Sequence, residues 1–509
     1  MSDVAFPRSS VGETARPAIR AWLSLSGAYG ARVATNTLAK VALGAALTTW
    51  LNRGQLTLWV LATSFAIVVS QIVDAGFQHI AVRASSVGLI TAQERRDHAF
   101  DLLKVIAKFA VPSVCLSAAL GLVADSFWLP PSLRRSDIVI VFAAAMAGAF
   151  FQMAGTTLAA YLIGAGRAWI GISCTGAAMF AWASVASTGS AFGIALPLTT
   201  ICAQIPFIVM VVGVWRLLGT DQTEAGIPTV VAGGQSQPPR ASTRDLTSFV
   251  LYNLSGFVIT GIDVYVVATF EPLKVAGYSY AIQATSLCFL LCTALANPLV
   301  IQAAKDTAGA ICPLSLGPVI RITGLVGSVC VLFLGLGCLW FDRLSTLWLG
   351  GVGRDATLVF VPLALAACLR SLLVPSLLGA VGSGQLSTFV RPSLIEAAVN
   401  LVTSVGLGLR FGAMGVAIGS LVGSVAALMM FSSTIRRWGV DVAGGQALVK
   451  LVLGSALVLC LVATIVRWPN SWALRGFGTI FLLVATAAHL RTVHRRVGIS
   501  SLIATLPML

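Results

Sequence analysis

Charge is what this sequence has least of. Asp, Glu, Lys and Arg make up 10% of its 509 residues, 57% are hydrophobic, and the mean hydropathy is +0.91. Soluble domains carry about 25% charged residues. A chain this poor in charge cannot cover a globular core with solvated side chains, which excludes water-soluble folds and leaves a polytopic membrane protein. Acids are scarcer than bases, 18 against 33, for a net charge of +15. In a membrane protein that excess belongs to cytoplasmic loops, where Lys and Arg are costly to translocate and meet anionic lipid, so no nucleic-acid partner is expected. The four histidines (His79, His98, His489, His494) are scattered, with no HExxH or zinc spacing. No GxxxxGK[ST] loop occurs, which excludes nucleotide hydrolysis by the P-loop route. The ten cysteines lie mostly in apolar runs with no CxxC beside a histidine. They read as small buried hydrophobes, not as metal ligands or disulfides. No metal and no cofactor is expected.

What is present in abundance is apolar sequence in lengths that suit a bilayer. At roughly 20 apolar residues per crossing, fourteen spans are predicted: 33–51, 57–77, 102–124, 137–162, 168–187, 191–215, 247–269, 276–299, 318–340, 356–379, 392–409, 413–432, 447–466 and 472–490. Residues 1–31 are polar, carry Arg8, Arg16 and Arg20, and lack a signal-peptide apolar core, so they read as a cytoplasmic tail. Residues 219–246, rich in Gly, Pro, Gln and Ser, read as a flexible linker near the midpoint. The linker separates an N-lobe (32–218) from a C-lobe (247–435), and 436–509 adds a C-terminal helix pair and a basic tail. With both termini inside, 22 Lys and Arg fall in cytoplasmic segments. Nine fall outside (Arg53, Arg134, Arg135, Lys274, Arg343, Arg354, Arg410, Arg467, Arg475), and Lys40 and Arg370 fall within spans. That asymmetry supports the orientation and the even number of spans.

The two lobes resemble each other. Asn52–Arg83 aligns with Pro272–Gln302 at an offset of 219, placing Trp59 on Tyr278 and Arg83 on Gln302. Residues 161–196 align with 377–419 at about 217, with Gly166-Arg167 near Gly382 to Gly384. In each case a span ends in a Gly-rich turn and two helices follow, joined by a second Gly-containing turn. Because each lobe holds six spans, both enter from the same side. The repeat is therefore parallel, about an axis along the membrane normal.

Several motifs carry a family resemblance. Gly54-x4-Trp59, Asp74-x-Gly76 and Arg83 in the first half are joined in the second by Asp263, Val275-Ala276-Gly277-Tyr278 and Asn297-Pro298, then by Gly379-x4-Gly384 and Gly412-x-x-Gly415-x-Ala417. In order and spacing these resemble the polysaccharide-exporter branch of the MOP (MATE-like) flippase superfamily, over most of the chain up to about residue 435. Asp74-Ala75-Gly76-Phe77 departs from that family's usual Asp-Leu-Gly-Leu. The resemblance implies an all-α fold of two six-helix bundles plus a C-terminal pair, and a transporter, not an enzyme. Its substrate would be an oligosaccharide on undecaprenyl pyrophosphate, flipped across the bacterial inner membrane for O-antigen lipopolysaccharide, capsule or exopolysaccharide synthesis. Partners would be membrane lipids, a polysaccharide polymerase and glycosyltransferases, with a proton or sodium ion coupled to the movement.

Passing a sugar-pyrophosphate through a bilayer calls for cations inside the bundle, and charge within a span is costly enough to mark function. Lys40, with Asn36 one turn earlier on the same face, and Arg370 are the candidates for attracting the anion; Lys40 could instead snorkel to the interface. Asp263 and Glu396 are acidic counterparts able to pair with a cation or to titrate, and Glu396, only about one turn from the cytoplasmic turn, reads better as an interfacial residue. Asn253 and Asn400 are candidate partners for sugar hydroxyls, and helix–helix hydrogen bonding explains them equally. Asp74 and Arg83 are gate or rim candidates at the cytoplasmic end of the second span, although helix capping and positive-inside placement account for them slightly better. Pro112, Pro197, Pro206, Pro298, Pro362 and Pro375 interrupt spans, either as kinks or hinges or as static breaks whose freed carbonyls neighbouring helices satisfy. Two other readings compete. A MATE-type drug exporter would be expected to place a carboxylate in an early span, where this chain has Lys40. A membrane polymerase or glycosyltransferase would carry a large outer loop or an acidic cluster, and none is present.

Overall fold

The computed structural model describes residues 30–219, 243–300 and 316–437 and part of 475–487, apart from 32–34, 88–90 and a few single positions. The described residues form helices and turns with no strand, and ten helices are long and apolar enough to cross a membrane. The first half comprises α1 (Leu38–Trp50), α2 (Arg53–Asp74), α3 (Phe77–Val87), α4 (Ala92–Phe127), α5 (Arg135–Gly164), α6 (Ala168–Ala191), α7 (Leu196–Cys202) and α8 (Ile205–Leu218). The second comprises α9 (Thr243–Thr260), α10 (Ile262–Phe270), α11 (Val275–Ala296), α12 (Leu316–Leu349), α13 (Gly351–Gly382) and α14 (Ser387–Arg437). The protein is a polytopic all-α membrane protein.

The differences from the expected spans have local causes. The second span stops at Asp74, and Gly76 (φ 81°) turns the chain into a separate α3. The span at 191–215 is broken ahead of Pro206, where the ring has no N–H to continue the ladder, and the span at 247–269 is broken at Gly261. By contrast Pro112, Pro362 and Pro375 sit inside helices that continue through them. The spans 392–409 and 413–432 are the two arms of α14, folded back at Gly412 (φ 58°, ψ −141°). The span 447–466 lies outside the described residues. Part of 472–490 is described and docks on α12. Arg475 there makes a two-pronged ion pair with Asp342 (2.8 and 2.7 Å), and Trp340 donates to the Thr479 hydroxyl at 3.2 Å.

The halves repeat in atomic detail. At the end of α5 the Ala165 and Arg167 N–H groups donate to the Tyr161 and Leu162 carbonyls. At the end of α13 Ser383 and Gln385 do the same to Gly379 and Ala380. Gly166 (φ 84°) and Gly384 (φ 72°) occupy the left-handed position of these two turns, which costs a side-chain-bearing residue. Just before them a Cβ on Gly164 would strike the Val82 carbonyl, and a Cβ on Gly382 the Val300 carbonyl. Each pair is offset by 218, between the two offsets read from the sequence. Lipid supplies no hydrophobic drive for helix association, so such glycine contacts, which let backbones approach, hold each half together.

The apolar core is continuous at one end of the bundle and divided at the other. At the end where α2 begins and α4 stops, a single cluster joins Leu47, Leu58 and Phe142 of the first half to Val267, Tyr278 and Val359 of the second. Hydrogen bonds reinforce it. Trp128 Nε1 donates to Thr269 Oγ1 at 3.2 Å, and the Tyr265 hydroxyl donates to the Leu61 carbonyl at 2.8 Å. Nearby, Glu271 accepts from the Ala413 N–H (2.7 Å) and from Lys274 (2.6 Å). Partial burial raises its pKa, but these donors outweigh burial and hold the carboxyl below its ordinary value. At the opposite end, around the Gly166 and Gly384 turns, the core splits. One cluster joins Ala81, Leu158, Phe207 and Val214, and another joins Val300, Ile322 and Leu378. There the Phe249 ring of α9 crosses to the first half and packs on Gly76.

Gly164→Ala and Gly382→Ala are each expected to cost about 1–3 kcal/mol, as overpacked sites do. Both should lower the thermal midpoint of the purified protein. Gly213→Ala, where nothing lies within 4 Å of the added Cβ, should leave it unchanged.

Candidate functional site

Four of the residues singled out in the sequence converge in the second half. The interruption at Gly261 puts Asp263 in the first turn of α10, where unpaired backbone N–H groups and the helix dipole favour a carboxylate within the apolar layer. On the first arm of α14, Glu396, Asn400 and Ser404 recur every four residues and so share one face. The second arm answers with Val416, Ser420 and Ser424 at the same interval. Ser404 Oγ donates to the Val416 carbonyl and Thr403 Oγ1 to the Gly419 carbonyl, both at 3.2 Å, which pins the arms side by side.

The polar groups form one connected network. Arg370 Nε donates to Glu396 Oε1 at 2.7 Å, and its Nη2 reaches the Ser420 carbonyl at 3.4 Å. Ser424 Oγ also donates to Glu396 Oε1, at 3.0 Å. Asp263 accepts from Ser420 Oγ in a very short contact, from Asn400 Nδ2 at 3.3 Å and from the Tyr278 hydroxyl at 3.4 Å. Asn400 Nδ2 further donates to the Ile259 carbonyl at 3.1 Å, and Ser404 Oγ lies 3.2 Å from Asn400 Oδ1. Asp263, Glu396, Asn400, Ser404, Ser420, Ser424 and Tyr278 are all buried. Glu396 is therefore not an interfacial residue. Its helix starts at Ser387, about two and a half turns earlier, and carries it into the core.

The arrangement holds more negative than positive charge. Arg370 is in contact with Glu396, while the direct partners of Asp263 are neutral hydroxyls and an amide. A buried carboxylate without a cation in contact is costly when ionised, and a proton or a small cation relieves that cost. Ser420, Asp263, Asn400, Ser404 and the Val416 carbonyl are linked in one chain of hydrogen bonds. Its oxygens are of the type that a hard cation prefers.

Lys40 and Asn36 belong to a different place. Gly44, one turn beyond Lys40, would put a Cβ 2.9 Å from the Tyr280 ring of α11, and Thr35 packs on Gly176 of α6. The 35–39 stripe of α1 thus faces the first half, and the 36–40–44 stripe turns toward the second. Lys40 has no ion-pair or hydrogen-bond partner among the described residues, and Asn36 Oδ1 is buried without one. Asp74 ends α2 and accepts from Gln78 Nε2 at 3.3 Å, while the side chain of Arg83 lies outside the described residues. Asn253 sits on α9. Reading the sequence missed Tyr278, Ser404, Ser420 and Ser424. The four-residue spacing of polar side chains in apolar arms was the signal that identifies the last three.

No protein-family description and no curated protein matches the chain by sequence. Solved structures do match. The lipid II flippase MurJ in an inward closed conformation superposes with a TM-score of 0.65 over 92% of this chain and 99% of that one, at 10% identity. A multidrug resistance MATE family transporter of the MOP superfamily, in an outward-facing conformation, gives 0.59 over 85% and 99%, at 15% identity. A MOP superfamily transporter from Pyrococcus furiosus, described as having a binding pocket of reverse polarity, gives 0.59 over 86% and 99%, at 15% identity. The chain shares their fold. At these identities the likeness concerns architecture, and the chemistry has to be read from this chain's own residues.

Arg370→Met should leave Glu396 buried and unpaired, costing about 3–5 kcal/mol of stability. Adding Glu396→Gln should recover most of that loss, so the double variant unfolds at a higher temperature than Arg370→Met alone.

Proposed function

We propose that this protein is a flippase that moves a lipid-linked oligosaccharide, carried on undecaprenyl pyrophosphate, across the bacterial inner membrane by alternating access. The observation that carries the reading is Lys40. An anionic headgroup needs a cation kept from lipid, and Arg370 is already neutralised by Glu396. Lys40 stands on the α1 face turned toward the second half, where the two bundles meet, and it lacks an acidic partner among the described residues. Asn36, with its unsatisfied carbonyl oxygen one turn away, is suited to a sugar hydroxyl. Snorkelling accounts for Lys40 less well, because its neighbour Gly44 packs on Tyr280 instead of facing lipid.

With the Lys- and Arg-rich segments on the cytoplasmic side, the continuous core faces outward and the divided core faces the cytoplasm. In this orientation the headgroup enters between the divided clusters, meets Lys40 and leaves once the Trp128–Thr269 and Tyr265–Leu61 bonds part. Asp263 is the coupling site. A proton or sodium ion bound there neutralises the second half's surplus charge and biases one of the two states. The glycan would be supplied by glycosyltransferases and consumed by a polymerase outside, in lipopolysaccharide or exopolysaccharide synthesis.

The test is flipping of a purified pyrophosphate-linked oligosaccharide lipid in proteoliposomes. Lys40→Ala should slow it about tenfold or more, equivalent to the roughly 1.5–3 kcal/mol of a charge-assisted contact, while Lys40→Arg retains much of the rate. An unchanged rate in a well-folded Lys40→Ala protein contradicts the cationic path. Efflux of a small cationic compound with no movement of the glycan lipid would replace the reading with a multidrug exporter.

A further inference from the structure

Three cysteines that look unrelated in the sequence meet in the core of the second half. Cys288 and Cys292 lie four residues apart on one face of α11, and Cys330 reaches them from α12. The Cys330 sulfur is 3.4 Å from that of Cys292 and 3.7 Å from that of Cys288, and all three sulfurs lie within 4.8 Å of one another. Each is fully buried. From α13 the fully buried Ser371 sets its hydroxyl beside the Cys292 thiol, and that hydroxyl has no regular hydrogen-bond partner among the described residues. Thus three sulfurs and an otherwise unsatisfied oxygen, supplied by three helices, converge on one point.

We propose that this cluster is a binding site for a soft, thiophilic d10 metal ion, with Cu(I) as the ion it suits best. The spacing fits. With metal–sulfur bonds of about 2.3 Å, sulfurs of a three- or four-coordinate site stand roughly 3.8–4.0 Å apart, so shifts of a few tenths of an ångström convert the observed contacts into coordination. Softness and charge fit as well. Sulfur ligands select Cu(I) over hard cations. When Cu(I) binds, one of the three thiols gives up its proton to solvent, and the resulting thiolate balances the single positive charge. The other two thiols and the Ser371 hydroxyl complete the shell as neutral donors. A neutral assembly is what an apolar interior tolerates, whereas three thiolates would leave uncompensated charge. Metal there would tie α11, α12 and α13 together. It would act on the stability of the bundle and not as cargo.

The experiment measures metal directly. Because the sulfurs are buried, copper is supplied both during expression and, as Cu(I) held by bicinchoninate, to the protein purified in detergent without oxygen. The expected result is one equivalent of copper retained per chain, with an X-ray absorption spectrum dominated by sulfur at about 2.3 Å and a raised thermal midpoint. Cys292→Ser and Cys330→Ser should lose the copper. Cys368→Ser, which removes a buried thiol outside the trio, should keep it. No retained copper in the wild-type protein by either route overturns the proposal. So does equal loss in Cys368→Ser, or a Cys292–Cys330 disulfide found by mass spectrometry in the freshly purified protein.

Discussion

Two buried carboxylates in the second half share one arginine, and the rest of the site follows from that imbalance. Arg370 is held by Glu396 and by the Ser420 carbonyl, which leaves Asp263 dependent on hydroxyl and amide donors. Within a bilayer such a group is tolerated only with its hydrogen bonds filled. Three elements fill them for Asp263: α11 through Tyr278, and the two arms of α14 through Asn400 and Ser420. The fold of α14 at Gly412 is what brings Ser420 and Ser424 back against Asn400 and Glu396. Straightening that turn would leave several polar groups facing lipid. The positive charge that the second half lacks stands apart, on α1, where Lys40 faces the junction of the halves.

The same junction is built unequally along its length. At the end where α2 begins and α4 stops it is continuous and latched by two side-chain hydrogen bonds. Toward the other end it divides, with Phe249 on Gly76 as a bridging contact. Within each half, by contrast, glycines allow backbone-to-backbone contact, as at Gly164 with Val82 and Gly382 with Val300. Stiff halves with an interface that is strong at one end and weak at the other suit rigid-body rocking, the motion that the proposed alternating access requires.

Much of the architecture was legible in the sequence because length and hydropathy alone constrain a chain in lipid. Spans that form single helices were located, although α4 begins ten residues before the predicted start at 102 and α12 runs nine beyond the predicted end at 340, and the repeat emerged at offsets of 217 and 219 around the structural value of 218. Hydropathy does not register a break that stays apolar, so the interruption at Gly261 passed unnoticed, whereas Pro206 marked the break at 203–204 and Asp74-Ala75-Gly76-Phe77 the end of the second span. The charged members of the site stood out as rarities. Its serines did not, since a single serine in an apolar span is unremarkable until a second helix brings another against it. The sequence also could not tell that Arg370 spends its charge on Glu396, 26 positions away, or that Cys330 lies beside Cys292. Both facts depend on which helix faces which.

The most direct test of the account is to lock the end of the junction that Trp128 and Thr269 hold. A protein carrying Trp128→Cys and Thr269→Cys, cross-linked at the position of the natural hydrogen bond and reconstituted in liposomes, is predicted to stop flipping the pyrophosphate-linked glycan lipid and to resume when the link is reduced. Transport at the full rate with the link intact would contradict the proposal that substrate passes between the halves and leaves through this end.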